Sequence, residues 1–511
     1  MLLPDDAIPS KTRLLAVGVA ASAVYLFALA VYRLYLSPVA KFPGPRLAAL
    51  TFWYEFYYDV VKRGRYTWKI QELHREYGPI VRINPYELHI DDPDYYDELY
   101  SGPSKKRDKW EWSAKMFGNP KSMVGTVPHD HHRLRRAAIN PYFSKQSVAR
   151  LEPTIQSLVD GLCERLRGFR QSGEPLNLGF AYSALTTDII TEYCFAKSYG
   201  FLGRPDFGAE WARALMQGSE MSHLLKQFGW LYPVMSALPN WFVQWSNPPL
   251  MHLINFQRDI EKQIQTIMDG KSEEHKTASH PTIFHELLSS KLLSPEEKSL
   301  PRLAEEGETV VGAGTNTTAH TLKLTSFHLL ANPEILQKLK AELASATPSA
   351  GTPIPLRQLE QLPYLTGVVN EGLRMSYGVS SRLPRVSPDA ALVFRDWVIP
   401  PGTPVSMTSV LLHDNPTLFP EPRAFRPERW LQAGGASERR LERYLVPFSK
   451  GTRACAGMNL AYAEIYITLA AVFRGFGMEL WETTREDVDV AHDFFNPSAR
   501  LDSKGVRVIV K

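Results

Sequence analysis

The longest helical pattern in the chain begins at Pro301 and stops before the pair Asn332-Pro333. Proline suits the first turn of a helix, and Asn followed by Pro is a common end signal. At 1.5 Å per residue, residues 301–331 would form a helix about 46 Å long. Such a helix is long enough to cross a whole domain, so it predicts a body built around one long helix.

The rest of the chain predicts more helix and little strand. The length of 511 residues fits three domains or one large enzyme fold. Residues 79–92 predict a hairpin, residues 390–407 predict strands, 271–300 predict a surface loop or a short exposed helix, and 412–452 predict loops. Apolar spacing predicts helices at 144–170, 206–224, 255–270, 334–347, 359–376 and 457–475. Strands and helices do not alternate regularly, so the predicted fold class is mainly α with small β-sheets.

Composition excludes several classes of protein. The chain is 44% hydrophobic and 22% charged, which excludes a largely disordered, collagenous or multi-span membrane protein. The net charge of +4 comes from 58 basic and 54 acidic residues and is too balanced to indicate nucleic-acid binding. Three cysteines, Cys163, Cys194 and Cys455, cannot build a disulfide scaffold, and they fit a reducing compartment.

The N-terminus predicts a single membrane anchor. Residues 14–32 carry no charge and would span about 28 Å as a helix, close to a bilayer core of about 30 Å. A cleaved signal peptide is the alternative, because Ala21-Ser22-Ala23 has the pattern of a cleavage site. The apolar run continues past that site, which favours a retained anchor over residues 1–36, followed by a Pro-rich hinge at 37–46 and a catalytic domain at 47–511. The distribution of Lys and Arg favours a cytosolic body.

The most informative segment runs from Pro447 to Gly457 and contains Cys455. Cys455 directly precedes an apolar helix, whose positive end is expected to stabilise a thiolate and lower the pKa of the thiol. Gly451 and Gly457 permit a tight turn and the close approach of a flat group, and Arg453 suits a carboxylate. A buried structural cysteine is the alternative interpretation.

The spacing Phe448-x-x-Gly451-x-Arg453-x-Cys455-x-Gly457 resembles the haem-binding loop of the cytochrome P450 family. The resemblance implies that Cys455 is the axial iron ligand of haem b, with Phe448, Arg453 and Gly457 in the haem loop. It also implies a helical prism that encloses the haem, with 301–331 as its central helix. The similarity covers about residues 42–511 and extends to fungal secondary-metabolite members of the family such as trichodiene oxygenase.

A second part of the family pattern is a charge network. Glu371 and Arg374 are three residues apart on a predicted helix and can form a pair. Downstream, Pro427-Glu428-Arg429-Trp430 resembles the family's Pro-Glu-Arg-Phe box, with Trp430 in place of Phe. The resemblance implies that Glu371, Arg374 and Arg429 form one buried network under the haem loop, where it fixes geometry more than it adds stability.

The long helix contains the family's third motif, Ala313-Gly314-Thr315-Asn316-Thr317-Thr318. It resembles the oxygen-binding groove, in which Gly314 would leave room for dioxygen and Thr317 would form a hydrogen bond that steers protons. Asn316 replaces the usual acid and cannot titrate near neutral pH, so we expect water held by Asn316 and Thr317 to carry protons. Three alternatives are close helix packing, a dinucleotide-binding start at 310–314 and a glycosylation sequon at Asn316.

Basic residues upstream and downstream complete the pattern. The run His131–Arg136 resembles the family's Trp-x-x-x-Arg helix, with His132 in the position of Trp and Arg136 as the Arg. Both are expected to donate to a haem propionate, as is Arg385, with Arg382 as the less favoured alternative. A solvated basic helix face and a histidine metal site are the competing interpretations of the run.

The resemblance implies a membrane-anchored haem-thiolate monooxygenase. Electrons from NADPH would arrive through a separate NADPH-cytochrome reductase, and one atom of O2 would enter a lipophilic substrate such as a terpenoid or polyketide. The expected protein is a monomer in the endoplasmic reticulum membrane that faces the cytosol. Alternatives are a haem-thiolate isomerase or dehydratase without external electrons, and a non-enzymatic haem sensor or carrier.

The resemblance also implies which residues form the pocket walls, namely residues 110–117, 312–317, 379–380 and 494–495. The candidate residues for docking of the reductase are basic: Arg133, Arg135, Arg439, Arg440 and Lys450.

Overall fold

A computed structural model describes residues 11–273, 280–347, 352–431 and 441–511. The predicted mainly α fold with small β-sheets is confirmed. The helices are α1 (Lys11–Val31), α2 (Arg46–Leu50), α3 (Trp53–Phe56), α4 (Tyr66–Tyr77), α5 (Tyr96–Leu99), α6 (Glu111–Ala114), α7 (His129–Ile139), α8 (Lys145–Ser172), α9 (Leu178–Phe195), α10 (Ala209–Gln227), α11 (Leu231–Ser236), α12 (Asn240–Ser246), α13 (Pro248–Met268), α14 (Ile283–Ser289), α15 (Leu300–Ala331), α16 (Pro333–Ala346), α17 (Leu356–Leu359), α18 (Pro363–Ser376), α19 (Ser409–His413) and α20 (Met458–Gly475).

The long helix α15 organises the body as predicted. It has Pro301 in its first turn and ends at Ala331, before Asn332 and Pro333. It packs against α9, α13, α18 and α20, which together surround most of its length. The stretch 310–314 lies inside this continuous helix, so the alternative of a strand–turn dinucleotide motif is wrong.

Helix α9 was not predicted and is the most extensive neighbour of α15. Asn177 caps it by accepting hydrogen bonds from the backbone N–H groups of Gly179 and Phe180, at 2.9 and 3.3 Å. Nearly every residue of α9 is buried, so the helix shows no amphipathic stripe. Its hydroxyl groups bond back to the helix, as when Thr187 Oγ1 donates to the Ser183 carbonyl at 2.7 Å.

The sheets are small and lie at the side of the helical body. The strands are β1 (Ile80–Arg82), β2 (Leu88–Ile90), β3 (Asp108–Lys109), β4 (Leu176–Asn177), β5 (Arg385–Val386), β6 (Leu392–Phe394), β7 (Trp397–Ile399), β8 (Pro404–Ser406), β9 (Met478–Leu480), β10 (His492–Phe494), β11 (Asn496–Ser498) and β12 (Arg507–Val510). The largest sheet has the order β1-β2-β8-β5-β3, in which β2 and β8 are parallel and the other neighbours antiparallel. The other sheets are β4-β12-β9, β6-β7 and β10-β11. The predicted hairpin at 79–92 is β1-β2, and the expected strands at 390–407 are β6, β7 and β8.

One segment differs from its prediction. Residues 271–300 were expected to form a surface loop or an exposed helix, but α14 within them buries Ile283, Phe284 and Leu287. These three side chains join the main hydrophobic core with α8, α9 and α15. A helix of seven residues has too few apolar positions to show periodicity among polar neighbours, so the sequence did not indicate this contact.

The N-terminal helix stands apart from the core. Among the described residues, one helix is long and apolar enough to cross a membrane, Arg13–Leu36, and its most apolar window is 0% buried. It comprises α1 and a π-helical turn at Tyr32–Leu36. The Arg82 side chain holds the end of this helix on the body by donating to the Arg33 carbonyl at 2.8 Å.

Candidate active site

The segment around Cys455 is a tight loop that leads into α20. Gly451–Arg453 form one 3-10 turn, and the backbone N–H of Cys455 donates to the Phe448 carbonyl at 2.9 Å. Gly451 has φ +73°, and the position of a Cβ there is occupied by the backbone carbonyl of Ser101. The tight turn is therefore present. However, Gly451 makes room for the Ser101 backbone and not for a flat group.

The pKa of Cys455 differs from its expectation. Burial raises the pKa of the thiol above its usual value, although a hydrogen bond from the Gly457 backbone and the charge of Arg136 act in the opposite direction. The expected lowering of the pKa is wrong for the protein without a ligand, because desolvation outweighs the helix end. Cys455 is nevertheless exposed, unlike Cys163 and Cys194.

The structure brings Glu371, Arg374 and Arg429 together. Arg374 donates from Nε and Nη2 to the two carboxylate oxygens of Glu371 at 3.0 and 2.9 Å, and both residues are 0% exposed. Arg429 Nε donates to Glu371 Oε1 at 3.0 Å, and so does the backbone N–H of Arg426 at 2.9 Å. The carboxylate is thus neutralised and fully hydrogen-bonded, which a buried charge requires.

Trp430, the departure from the family's box, contributes to the same cluster. Its indole Nε1 donates to Glu371 Oε2 at 3.0 Å. Phenylalanine in this position has no donor, so the tryptophan adds a hydrogen bond to the buried carboxylate.

A second cluster consists of largely desolvated cations that form no ion pair with an acid among the described residues. Lys109 on β3 lies directly opposite Arg385 on β5. Burial and the charges of Arg385 and Arg453 hold the pKa of Lys109 well below its usual value. Two like charges on opposed strand positions destabilise a sheet unless an anion lies between them. Sequence reasoning missed Lys109, because the strand pairing that places it is not local.

His132 and Arg453 extend this cation cluster. Burial, together with the charges of Arg453, Lys109 and Arg136, lowers the pKa of His132 to about 2. His132 Nδ1 is buried and has no hydrogen-bond partner among the described residues. Arg453 donates to the carbonyls of Thr126 and Val127 at 2.8 and 2.6 Å, and burial lowers its pKa to about 9.

Arg136 points toward the cysteine loop. Its guanidinium donates to the carbonyls of Ala454 and Cys455 at 2.6 and 3.2 Å. Arg382, the alternative to Arg385, is held elsewhere: it forms ion pairs with Glu55 at 2.6 Å and Glu87 at 2.9 Å. Arg385 has no ion-pair partner among the described residues and stays with the cation cluster.

These residues fit an anionic cofactor that carries a soft metal. The cations Lys109, Arg385 and Arg453 have no ion pair to an acid within the described parts of the chain, and the neutral His132 beside them has one buried imidazole nitrogen without a partner. Buried charges are normally paired, so the cluster requires an external anion such as a carboxylate pair. The accessible Cys455 supplies a sulfur ligand beside it.

One face of α15 is accessible in the middle of the helix. Ala313 is exposed, Asn316 and Thr317 are half-buried, and a Cβ on Gly312 would meet nothing within 4 Å. Thr317 Oγ1 donates to the Ala313 carbonyl at 3.0 Å. Asn316 and Thr317 therefore lie on the accessible face, in the interior of a helix where glycosylation is excluded.

Gly314 does not lie on that face. A Cβ at Gly314 would stand 2.8 Å from Cγ1 of Ile190, on α9. The expected role of Gly314 in leaving room for dioxygen is therefore wrong, and the alternative of close helix packing is correct here. Gly312 and Ala313, and not Gly314, are therefore the small residues on the accessible face of α15.

Three of the four expected wall segments meet in space. The rings of Phe117 and Phe495 pack edge to face with centroids 4.7 Å apart. The backbone N–H of Ser380 donates to the Phe495 carbonyl at 3.0 Å. Phe494 is only 1% exposed and belongs to the core, so within this pair Phe495 is the accessible one.

The expected docking residues separate into different environments. Arg135 is buried and paired with Glu297 at 2.7 Å, so its place on a docking face is wrong. His131 also bonds to Glu297, and the described residues contain no group of three or more metal-ligating side chains that could hold an ion. Arg133 is exposed, Lys450 pairs with Asp97 at 2.6 Å, and Arg439 and Arg440 lie outside the described residues.

Together, the long central helix, the accessible cysteine at the start of α20 and the cation cluster define a haem-thiolate class of protein. Comparison with known proteins agrees with this: the Cytochrome P450 family model matches residues 43–503. The chain belongs to the cytochrome P450 family, and it is a monooxygenase-type oxidoreductase.

Its relatives are fungal enzymes. Tryptophan 6-hydroxylase fscE of Fusarium equiseti is 49% identical over 95% of this chain and 94% of that protein. Cytochrome P450 monooxygenase tpcC of Cochliobolus heterostrophus is 48% identical over 96% and 95%. N-acetyltryptophan 6-hydroxylase ivoC of Emericella nidulans is 46% identical over 95% of both chains.

Proposed function

We propose that the chain is a membrane-anchored haem-thiolate monooxygenase that oxidises a lipophilic secondary metabolite with electrons from a separate NADPH-dependent reductase. The observation that carries this proposal is the combination of an accessible, desolvated Cys455 with a desolvated cluster of cations for which the described residues provide no ion-paired acid. When haem is bound, it supplies an iron that activates dioxygen with externally delivered electrons.

The protein's own residues would hold the haem from two sides. Cys455 would ligate the iron, and Phe448 and Gly457 flank the sulfur in the same loop. The haem propionates would neutralise the cations Lys109, Arg385 and Arg453, and His132 Nδ1 would gain a partner. Arg136 would hold the carbonyls of Ala454 and Cys455 and is also proposed to donate to a propionate. The network of Glu371, Arg374 and Arg429 would fix the geometry beneath the cysteine loop.

Thr317 would control the proton on the accessible face of α15. Its hydroxyl donates to the Ala313 carbonyl and can rotate to donate to a molecule on the accessible face of α15. Asn316 can both donate to and accept from a water molecule but cannot titrate near neutral pH. Water held by these two side chains is the proposed route for protons, in place of the acid that the family usually has.

Exchange of Thr317 tests this role. We expect Thr317→Ala to lower the yield of product per NADPH consumed several-fold, because no positioned hydroxyl then steers the proton. Thr317→Ser keeps the hydroxyl and should retain most of that yield. An unchanged yield in Thr317→Ala would contradict the role.

The substrate class is supported by the walls of the site. Trp110, Trp112, Phe117 and Phe495 line or adjoin the expected walls and favour a largely apolar ligand. A terpenoid or polyketide fits this description. An aromatic substrate with an indole ring is the second candidate, because two relatives are named as hydroxylases of tryptophan or N-acetyltryptophan.

An isotope experiment tests the reaction class. Metabolites of strains with and without the gene would identify the substrate, and turnover with purified reductase under labelled dioxygen should place one labelled atom in the product. Tryptophan and N-acetyltryptophan should be included as candidate substrates. Turnover without NADPH would instead indicate an isomerase or dehydratase, and a haem protein without any turnover would indicate a sensor or carrier.

The proposed architecture has residues 1–36 as the anchor, 37–46 as the hinge and 47–511 as the catalytic domain. The exposed apolar helix supports a membrane anchor, and the proposal assigns this anchor to the endoplasmic reticulum with the body facing the cytosol. Of the docking candidates, Arg133 and the partly paired Lys450 remain in the proposal for reductase binding by the monomer.

A further inference from the structure

His413 lies between two parts of the site and is 0% exposed. It is the last residue of α19. One ring nitrogen, Nδ1, is 2.9 Å from the Arg374 carbonyl at the end of α18. The other, Nε2, is 2.9 Å from the backbone nitrogen of Val446, which begins the segment leading to Cys455. Its side chain thus spans the gap between the Glu371 cluster and the cysteine loop.

The two partners fix the tautomer of the ring. The Val446 backbone N–H can only donate, so His413 Nε2 must accept and carry no proton. The Arg374 carbonyl can only accept, so Nδ1 must carry the proton and donate. A protonated imidazole would turn the Val446 contact into a donor–donor clash. Burial and the charge of Arg374 lower the pKa of His413 to about 3, which keeps the ring neutral.

The surroundings of the ring hold it in this orientation. Tyr377 stacks on it at 6.1 Å between centroids with planes 20° apart, and Phe419 meets it edge-on at 6.3 Å. Arg374 Nη1 also donates to the His413 carbonyl at 2.9 Å, so backbone and ring are both tied to Arg374.

The bridge continues to the sulfur through short steps. Ser449 donates its backbone N–H to the Val446 carbonyl at 3.0 Å, and Cys455 donates to the Phe448 carbonyl at 2.9 Å. The Pro447 carbonyl occupies the position of a Cβ on Gly378, which has φ +68°. The start of the cysteine loop therefore packs directly against the residues that follow α18. The hydrogen bond from the Val446 N–H to His413 Nε2 fixes the position of the loop there.

We propose that His413 is a positioning residue for Cys455, and that its neutral Nδ1–H tautomer bridges the Arg374 carbonyl and the Val446 N–H so that the sulfur is held in place to ligate iron. The inference rests on the proposed function, in which Cys455 is the iron ligand. It assigns the bridging role to the side chain of His413, beyond the Glu371, Arg374 and Arg429 network.

Two amide variants separate the two hydrogen bonds. The amide of His413→Asn reaches about as far as Nδ1, so it can donate to Arg374 but leaves the Val446 N–H without an acceptor. The amide of His413→Gln reaches about as far as Nε2, so it can accept from Val446 and gives up the Arg374 bond. His328→Asn and His328→Gln are matched controls, because His328 is equally buried and stacks on Phe425 at 5.0 Å, away from the cysteine loop.

The measurement is the Soret band of the full-length holoprotein, reduced under carbon monoxide during mild urea exposure. We expect His413→Asn to increase the ratio of non-thiolate to thiolate band roughly ten-fold relative to wild type, since a buried N–H loses its acceptor. His413→Gln should stay near the wild-type ratio. The His328 variants should lower the thermal midpoint without changing the ratio.

Each result decides the matter. Equal ratios in His413→Asn, His413→Gln and the His328 variants would overturn the inference, and so would a greater loss in Gln than in Asn. If His413→Asn binds no haem, His413→Gln decides: a predominantly thiolate band supports the bridge, and loss of that band contradicts it. A wild-type protein without the thiolate band would instead refute the proposed function, which keeps the two failures distinct.

Discussion

Glu371 accepts hydrogen bonds from four residues, and Trp430 provides one of them where the family's box has Phe. The carboxylate has no access to water, so each lost donor leaves a buried charge less well satisfied. Trp430 therefore serves to satisfy the buried carboxylate of Glu371, a purpose that a motif comparison alone does not show.

Replacing Trp430 by Phe tests that purpose. We expect Trp430→Phe to lower the free energy of unfolding by about 1–3 kcal/mol, because Glu371 Oε2 loses the indole donor. Thermal and urea unfolding of the holoprotein measure the loss. Trp397→Phe is the matched control, because Trp397 makes no hydrogen bond to Glu371 and should cost less. A Trp430→Phe protein as stable as wild type would show that the bond contributes nothing.

His328 allows the effect of a buried neutral histidine on the pH dependence of stability to be tested. Burial and the charge of Arg485 lower its pKa from 6.5 to about 3, so the folded chain keeps the ring neutral. Below pH 6.5 the unfolded chain binds a proton that the folded chain does not. This group's contribution to stability is therefore present above pH 6.5 and lost as the pH falls toward 3.

His328→Phe removes that titration. Between about pH 8 and pH 5 the variant should lose about 2 kcal/mol less stability than wild type, since 1.5 pH units below the unfolded pKa correspond to that amount. The measurement is urea unfolding at both pH values. Identical pH dependence in the two proteins would show that His328 does not titrate on unfolding.

The sequence predicted some residues of the site and not others for clear reasons. Glu371, Arg374 and Arg429 lie in short motifs whose residue types carry their chemistry, and the structure brings all three together. The direction of the Cys455 pKa was wrong because burial depends on the whole fold. His413 and Lys109 have no local motif, since each acts through a partner distant in the sequence.

At the scale of elements, the packing of α9 on α15 determines the role of Gly314. We expect Gly314→Ala to lower the free energy of unfolding by about 1–3 kcal/mol, because its Cβ would meet Ile190. Gly312→Ala is the matched control, since a Cβ there meets open space. Thermal unfolding measures both variants.

A second change completes this test. Ile190→Ala removes Cγ1, which stands closest to the added Cβ, so the double variant should recover part of the Gly314→Ala loss, with a coupling of about 0.5–3 kcal/mol. Additive losses would contradict the packing explanation. A Gly314→Ala protein of normal stability with poor coupling of NADPH to product would restore the oxygen-groove interpretation.

Periodic elements were predicted well and uniformly buried ones were not. The helices at α8, α10, α13, α15, α16, α18 and α20 were predicted with shifts at their ends, because each has an apolar stripe or clear end signals. Helix α9 is buried on nearly all sides, and α14 is a helix of only seven residues among polar neighbours. Neither has a periodic signal, although both contribute to the core around α15.

At the scale of the whole molecule, the proposed anchor can be tested by its retention in membranes. We expect the full chain to stay with microsomal membranes after an alkaline carbonate wash, because the apolar helix Arg13–Leu36 is long and apolar enough to span a bilayer. A chain that begins at residue 37 should be released into the supernatant to a much greater extent. Recovery of a mature N-terminus near Ala23 would instead establish a cleaved signal peptide.

The central claim is that the sulfur of Cys455 ligates haem iron within this helical body. The most direct measurement is the absorption spectrum of the purified full-length protein, reduced under carbon monoxide, compared with Cys455→His. The account predicts the strongly red-shifted Soret band of thiolate-bound haem in wild type and its absence in the variant. A folded wild-type protein that shows the band of imidazole-bound haem, or that binds no haem at all, would contradict the account.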